Sequence, residues 1–288
     1  MATDARDVLT RAAPPPDAVL RYGSHPDHVA DLRRPLRTPG SPPAPLLLLI
    51  HGGFWKAEYD RAHLAPMAAA LSGAGYAVVV PEYRRVGQPG GGWPGTLADV
   101  ALCCERLPGL LAEREGSTID LERVVLIGHS AGGHLAVWAA ARDRPGFDGA
   151  GLQGGGLRGG LRGVVSLAGV LNLALAARRR LGDDAVQGLL GGTPDEVPQR
   201  YAAADPFRRL PLGVPVVCVH GGADAIVPIE LSASYAVAAR AAGDAVELVE
   251  LAGVEHFGLI DPLSTAWPYV RAAVDRVLDG AVTTTGRG

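Results

Sequence analysis

Short apolar segments alternate along this chain with alanine-rich segments of helical length. Each apolar segment has five or six residues, the length of a buried strand rather than of a helix. This alternation predicts a mostly parallel sheet covered by helices on both faces, because parallel strands are joined by helical crossovers. We expect strands at 46–50, 76–80, 123–127, 163–168, 214–219 and 246–251, and helices at 61–72, 96–114, 131–142, 229–242 and 265–279.

The pattern indicates a single domain with less regular ends. Residues 1–18 are polar and proline-rich, so we expect a loose segment there, followed by one domain over 19–280 and a flexible tail over 281–288. Residues 170–212 interrupt the alternation, and their weak helical signals predict a lid or a pocket wall above the sheet. The glycine-rich stretch 148–163 predicts a surface loop, because glycine disfavours helices and strands alike.

Composition excludes several functional classes. A formal net charge of −3, with 48% hydrophobic residues, indicates a globular chain without a basic surface for nucleic acid. Cys103, Cys104 and Cys218 are an odd number with two adjacent, which predicts neither a disulfide framework nor a zinc site. The N-terminus lacks the pattern of a signal peptide, and no apolar run approaches the length of about 20 residues that spans a bilayer. We therefore expect a cytoplasmic protein without a membrane partner.

The strand predicted at 123–127 runs directly into Gly128-His129-Ser130-Ala131-Gly132 and then into a helical segment. In this context a G-x-S-x-G sequence forms a tight turn that exposes the serine hydroxyl above the strand ends. The two glycines are needed because side chains two residues before and after the serine would obstruct the turn. Ser130 is therefore the predicted nucleophile, with a chance match in a glycine-rich chain as the alternative.

A serine nucleophile needs a histidine base and a carboxylate that orients it, and in this arrangement they follow in the order serine, acid, base. Asp224 and His256 come just after the last two predicted strands. Active sites of open α/β sheets gather at the carboxyl ends of their strands, so both side chains should converge on Ser130. His256 is the predicted base and Asp224 the predicted acid, with Asp261 as the main rival for the acid.

Acyl transfer also needs hydrogen-bond donors for the oxygen that becomes negative. Residues 51–55, His-Gly-Gly-Phe-Trp, follow the first predicted strand, where two glycines let the backbone approach a bound carbonyl group. We predict that the backbone N–H groups of Gly52, Gly53 and Ala131 form this oxyanion hole. A simple glycine turn is the alternative.

Together these motifs resemble the α/β-hydrolase superfamily over residues 20–280, and within it the esterase/lipase-like branch. The HGG-x-W form, which includes Trp55, and Tyr22-Gly23 in the lead-in are similar to kynurenine formamidases (arylformamidases). The resemblance implies an α/β-hydrolase fold with about eight mostly parallel strands and a small lid, and a serine hydrolase mechanism without a metal or organic cofactor.

The leading hypothesis is a hydrolase for a small-molecule ester or amide, with an N-formylkynurenine-type formamide as the best single candidate. Phe54 and Trp55 are predicted to wall the substrate pocket, and Trp55 would block the long tunnel that a lipase needs. A short-chain carboxylesterase is the alternative, followed by a peptidase or a biosynthetic acyltransferase or cyclase. A non-catalytic receptor is disfavoured because the triad is complete, and a homodimer is the one assembly that we consider.

Overall fold

The protein is represented by a computed structural model that describes residues 4–38, 40–141, 157 and 159–282. Its centre is an eight-stranded sheet with the spatial order β1-β2-β4-β3-β5-β6-β7-β8. The strands β1 to β8 are, in chain order, Ala18–Arg21, Val29–Arg33, Ala44–Ile50, Ala77–Pro81, Ile119–His129, Leu161–Leu167, Val216–Gly221 and Val246–Leu251. Strand β2 is antiparallel to both of its neighbours, and the remaining pairs are parallel. The prediction of a mostly parallel α/β sheet is confirmed.

Helices cover both faces of this sheet. The α-helices α1 to α8 are, in chain order, Ala65–Gly73, Gly95–Glu115, Ala131–Ala141, Leu173–Arg178, Leu181–Leu190, Pro198–Ala204, Glu230–Ala241 and Trp267–Leu278. Short 3-10 helices occupy Ala5–Leu9, Arg61–Leu64, Gly116–Thr118, Pro206–Arg209 and His256–Ile260. None of the helices in the described ranges is both long enough and apolar enough to cross a bilayer.

Two buried clusters lie on opposite faces of the sheet. Along β3, Leu46 and Leu48 belong to one cluster, and Leu47 and Leu49 to the other, because successive side chains of a strand point to opposite faces. Helices α2, α3 and α7 pack on the first face, whereas α1 and α8 pack on the second. The central strands are therefore apolar on both sides, which explains why they appear in the sequence as unbroken apolar runs.

The N-terminal segment differs from the prediction of a loose stretch over 1–18. Residues Ala5–Leu9 form a 3-10 helix in which Val8 is fully buried. Two guanidinium nitrogens of Arg11 donate hydrogen bonds to the carboxylate of Asp261, 250 residues further along the chain. One buried apolar side chain and one ion pair with a distant partner hold this segment, and neither contact is visible in local composition.

The interrupting segment 170–212 contains α4, α5 and α6 and is anchored to α3. The ring Nε2 of His134 donates a hydrogen bond to the carbonyl oxygen of Ala204, at 2.9 Å, and the indole N–H of Trp138 donates to that of Ala203, at 3.0 Å. The predicted helices of this segment are therefore present, and they pack on the domain. Most of the predicted glycine-rich loop at 148–163 and most of the predicted tail lie outside the described residues.

Candidate active site

Ser130 stands on a sharp turn between β5 and α3. Its φ angle is +57°, a left-handed conformation that costs a non-glycine residue about 1–3 kcal/mol and that often occurs at functional sites. A Cβ at Gly128 would lie 2.1 Å from the carbonyl oxygen of Gly132, and a Cβ at Gly132 would lie 2.1 Å from that of Ile50. Neither position tolerates a side chain, so the glycine spacing is a steric requirement of the turn.

The predicted acid and base are in direct contact. His256 begins a 3-10 helix after β8, and Asp224 lies in the loop after β7; their Nδ1 and Oδ2 atoms are 2.6 Å apart. A carboxylate can only accept at this position, so Nδ1 carries the proton and Nε2 is the unprotonated nitrogen of the neutral ring. The other Asp224 oxygen accepts the backbone N–H groups of Ile226 and Val227, each at 2.8 Å. The carboxylate is thereby fixed in orientation.

His220, at the end of β7, supports the same carboxylate. Its Nε2 donates to the carbonyl oxygen of Val227, at 2.8 Å, and lies 3.5 Å from Oδ2 of Asp224, while its Nδ1 is 2.8 Å from the hydroxyl of Ser232. Burial of Asp224 opposes ionisation, but hydrogen bonds from His220 and His256 outweigh it and hold the pKa of this carboxyl group well below its usual range. The acid is therefore ionised at neutral pH.

Asp261, the rival for the acid, is engaged elsewhere. Its carboxylate accepts from the guanidinium of Arg11 and from the backbone N–H of Leu263. The structure thus brings Asp224, and not Asp261, to the ring of His256.

The loop with the two glycines lies against the serine turn. A Cβ at Gly52 would be 2.7 Å from the carbonyl oxygen of His129 and 3.0 Å from Cβ of Ser130. Gly53 has a φ angle of +100°, and a Cβ there would overlap the side chain of Tyr59. Within the described ranges, no backbone hydrogen bond uses the N–H group of Gly52, Gly53 or Ala131. These three groups are therefore available as donors at the position where the sequence predicts an oxyanion hole.

His51 braces this loop from its buried side. Its Nδ1 lies 2.9 Å from the carbonyl oxygen of Gly52, and its Nε2 lies 2.8 Å from Oε1 of Glu82. The ring of Tyr83 stacks on the imidazole at a centroid distance of 4.2 Å, and its hydroxyl donates to the carbonyl oxygen of His51. Burial opposes ionisation of Glu82, but the hydrogen bond from His51 and nearby cations lower its pKa to about 2. Glu82 carries no signal in the sequence that would single it out.

The two aromatic residues after the glycines have different environments, which corrects the prediction that both wall the pocket. Phe54 lines the cavity beside Ser130, whereas Trp55 is fully buried in the core, with its ring edge-on to His134 at 5.2 Å. Both residues have positive φ angles, of 50° and 57°. A turn of this kind sends successive side chains in different directions, and the sequence alone does not reveal it.

A cavity of about 220 Å³ contains the predicted reacting groups on its wall. Ser130 and His256 line it together with Phe54, Ile226 and Phe257, and the N-terminal 3-10 helix contributes Arg6 and Leu9. None of residues 170–212 is among the described residues that line it.

Two further imidazoles face this cavity and are held uncharged. Burial lowers the pKa of His63 to about 4, and burial lowers that of His129 well below its usual value. His129 donates from Nε2 to the carbonyl oxygen of His256, at 3.1 Å, and therefore helps to position the predicted base. No group of three or more His, Cys, Asp or Glu side chains in the described ranges is placed to hold a metal ion.

The family assignment rests on a sequence match. The model of the family described as BD-FAE matches residues 31–238, which include Ser130 and Asp224. The chain belongs to the BD-FAE family. Two curated relatives are Esterase LipC of Mycobacterium tuberculosis, 26% identical over 85% of this chain, and Esterase LipQ of the same organism, 27% identical over 78%. The chain spans 60% of the length of LipC and 52% of that of LipQ.

Solved structures show the same α/β-hydrolase fold. Esterase B from Lactobacillus rhamnosis superposes with a TM-score of 0.78 at 18% identity, covering 96% of this chain and 90% of the other. A truncated carbohydrate esterase from gut microbiota gives a TM-score of 0.76 at 21% identity, covering 91% and 95%. The thermophilic esterase Est2 of Thermogutta terrifontis gives 0.67 at 20% identity, covering 95% and 96%. At these identities the comparisons establish the fold.

Proposed function

We propose that this protein is a short-chain carboxylesterase that acts through an acyl-enzyme intermediate on Ser130. One observation carries the proposal above all: the ring of His256, held by Asp224 at 2.6 Å, and the strained Ser130 line one cavity. The free backbone N–H groups of the glycine loop lie beside the serine, where they can donate hydrogen bonds to the carbonyl oxygen that becomes negative. The family and the esterase names of the relatives agree with this chemistry.

In the proposed mechanism the hydroxyl of Ser130 attacks the ester carbonyl carbon while Nε2 of His256 takes the hydroxyl proton. The carbonyl oxygen becomes negative and is stabilised by the N–H groups of Gly52, Gly53 and Ala131. As the C–O bond to the alcohol breaks, His256 gives its proton to the leaving alcohol. Water then attacks the acyl-serine with His256 again as the base, which releases the carboxylic acid and restores Ser130.

Two observations favour esters over the formamide that the sequence suggested. The formamidase hypothesis depends mainly on Trp55, whose side chain lies in the core and not on the cavity. The relatives and structural neighbours named above are described as esterases. A cavity of about 220 Å³ has room for a small substrate, so we expect acetyl to butanoyl groups to be preferred.

The test is a series of p-nitrophenyl esters from acetate to octanoate, measured beside N-formylkynurenine as kcat/KM. We expect the highest value at two to four acyl carbons and a lower value for the formamide. Ser130→Ala should reduce kcat by about 10⁶-fold and abolish labelling by a fluorophosphonate. Ser234→Ala, in α7, is the matched control and should leave both unchanged. A Ser130→Ala variant with substantial activity would contradict the mechanism, and a higher kcat/KM for N-formylkynurenine would restore the formamidase.

A further inference from the structure

Arg6 places a positive charge on the wall of the cavity, and no step of the proposed ester hydrolysis requires this charge. Among the described residues that line the cavity, it is the one with a permanent charge, and none of the others is an aspartate, glutamate or lysine. The neighbouring imidazoles of His63 and His129 are kept neutral by burial. A ligand in this cavity therefore meets a net positive wall on the side of the N-terminal helix.

The guanidinium of Arg6 is available to a ligand. No ion pair or side-chain hydrogen bond within the described ranges uses it, whereas Arg11, five residues later, is paired with Asp261. Two acidic residues lie in the same turn: the carboxylate of Asp4 accepts the backbone N–H of Arg6 and so caps the helix, and Asp7, the next residue, forms no ion pair with the guanidinium within the described ranges. The side chain of Arg6 is exposed to solvent, so it loses little hydration when it meets an anion.

The backbone that carries Arg6 is fixed. Val8 is fully buried in the core, and Leu9 lines the cavity. The ion pair between Arg11 and Asp261 connects the segment to the loop that follows His256. Arg6 is thus presented at the mouth of the cavity by an anchored turn and not by a free terminus. A planar guanidinium in such a position matches a carboxylate, which it can bind through two parallel hydrogen bonds.

We propose that Arg6 binds a carboxylate on the substrate, so that the preferred substrates are small esters that carry a negative charge. This inference rests on the proposed esterase function and adds a specificity-determining residue to it. Because the site is open to water, the attraction is moderate and is weakened by salt. We expect a preference of about threefold to fivefold for an anionic ester over its neutral counterpart.

Two pairs of esters test the proposal. In the first, 4-acetoxybenzoate and its methyl ester differ in the charge of the leaving group; in the second, monophenyl glutarate and methyl phenyl glutarate differ in the charge of the acyl group. The ratio of kcat/KM for the anionic over the neutral ester should fall about threefold to fivefold in Arg6→Gln, and further in Arg6→Glu, for at least one pair. Neutral esters should change less than twofold.

Arg106→Gln is the matched control, because this exposed arginine in α2 does not line the cavity and its substitution removes the same charge. It should leave both ratios unchanged, and added NaCl should lower the ratio of the unmodified protein but not that of Arg6→Gln. The proposal would be overturned if, for both pairs of esters, the kcat/KM ratio of Arg6→Gln stayed within twofold of the ratio of the unmodified protein.

A binding measurement separates this inference from the esterase proposal. Benzoate should bind the unmodified protein more tightly than benzamide does in calorimetric titration, and the difference should disappear in Arg6→Gln. If the esters are not cleaved but this difference is found, the esterase proposal fails and the anion site stands. If benzoate binds both forms equally, the anion site fails whatever the esters show.

Discussion

A single methyl group at Gly52 should disable the proposed oxyanion hole without unfolding the protein. In Gly52→Ala the new Cβ would lie 2.7 Å from the carbonyl oxygen of His129, whereas a carbon atom and a carbonyl oxygen normally approach to about 3.3 Å. The obstructing atom belongs to the backbone of the serine turn and cannot rotate away. The glycine loop must therefore retreat by about 0.6 Å, and its N–H groups retreat with it.

Removing one oxyanion donor costs about 2.7–4 kcal/mol of transition-state stabilisation, or about 10²–10³ in kcat. We expect a loss of about 100-fold in kcat for p-nitrophenyl acetate in Gly52→Ala, with a small change in KM, because the donors act mainly in the transition state. Rates should be normalised to the fraction of protein that reacts with a fluorophosphonate. This normalisation distinguishes a lower turnover rate per active site from a lower concentration of folded protein.

Gly109→Ala provides the matched control. Gly109 lies within α2, and a Cβ there would meet no atom within 4 Å. Alanine is the better helix former by about 1 kcal/mol, so this variant should keep its kcat and melt at the same or a higher temperature. A kcat for Gly52→Ala within threefold of that of the unmodified protein, together with normal melting, would contradict the proposed role of the glycine loop.

Three further predictions concern the predicted acid Asp224, the buried carboxylate Glu82 and the cavity residue Phe54. Asp224→Asn should lower kcat by about 10⁴ because the ring of the base takes the wrong tautomer, whereas Asp261→Asn should change kcat only a few-fold; the opposite result would exchange their roles. Glu82 has a folded-state pKa of about 2, below its ordinary 4.5, so its ionisation stabilises the protein by about 3 kcal/mol near neutral pH, and this contribution is lost as the pH falls from about 5 to 2. Urea unfolding of Glu82→Gln should show that deficit at pH 7 and less than half of it at pH 3, and a deficit of equal size at both would contradict the assignment. Phe54→Ala should move the highest kcat/KM in the ester series toward longer acyl chains, whereas Trp55→Phe should leave the order of preference unchanged. If Trp55→Phe alone changed this order, the indole and not the phenyl ring would line the pocket.

Elements that depend on local patterns can be predicted from the amino-acid sequence. Apolar runs predict the central strands of the parallel part of the sheet, because strands buried on both faces have no polar side to interrupt the run. Strand β8, at the edge, is only partly buried and contains Glu247 and Glu250. The two antiparallel strands at one end of the sheet, β1 and β2, fall in the lead-in that the pattern leaves as extended chain, because strands of four and five residues have weak periodicity. The serine turn is also visible in the sequence as a G-x-S-x-G pattern, although only Gly128 is required by a contact within the turn, whereas Gly132 is required by the approach of Ile50 from β3.

Contacts between side chains that are far apart in the chain depend on the tertiary structure. Asp224 follows β7 and Asp261 follows β8, and the structure places Asp224 against His256, whereas Asp261 pairs with Arg11, 250 residues away. The brace by Glu82 joins residues 31 positions apart, and neither partner indicates the other by spacing. Local sequence sets backbone preferences, but a contact between distant residues forms only when the whole sheet has brought their strand ends together.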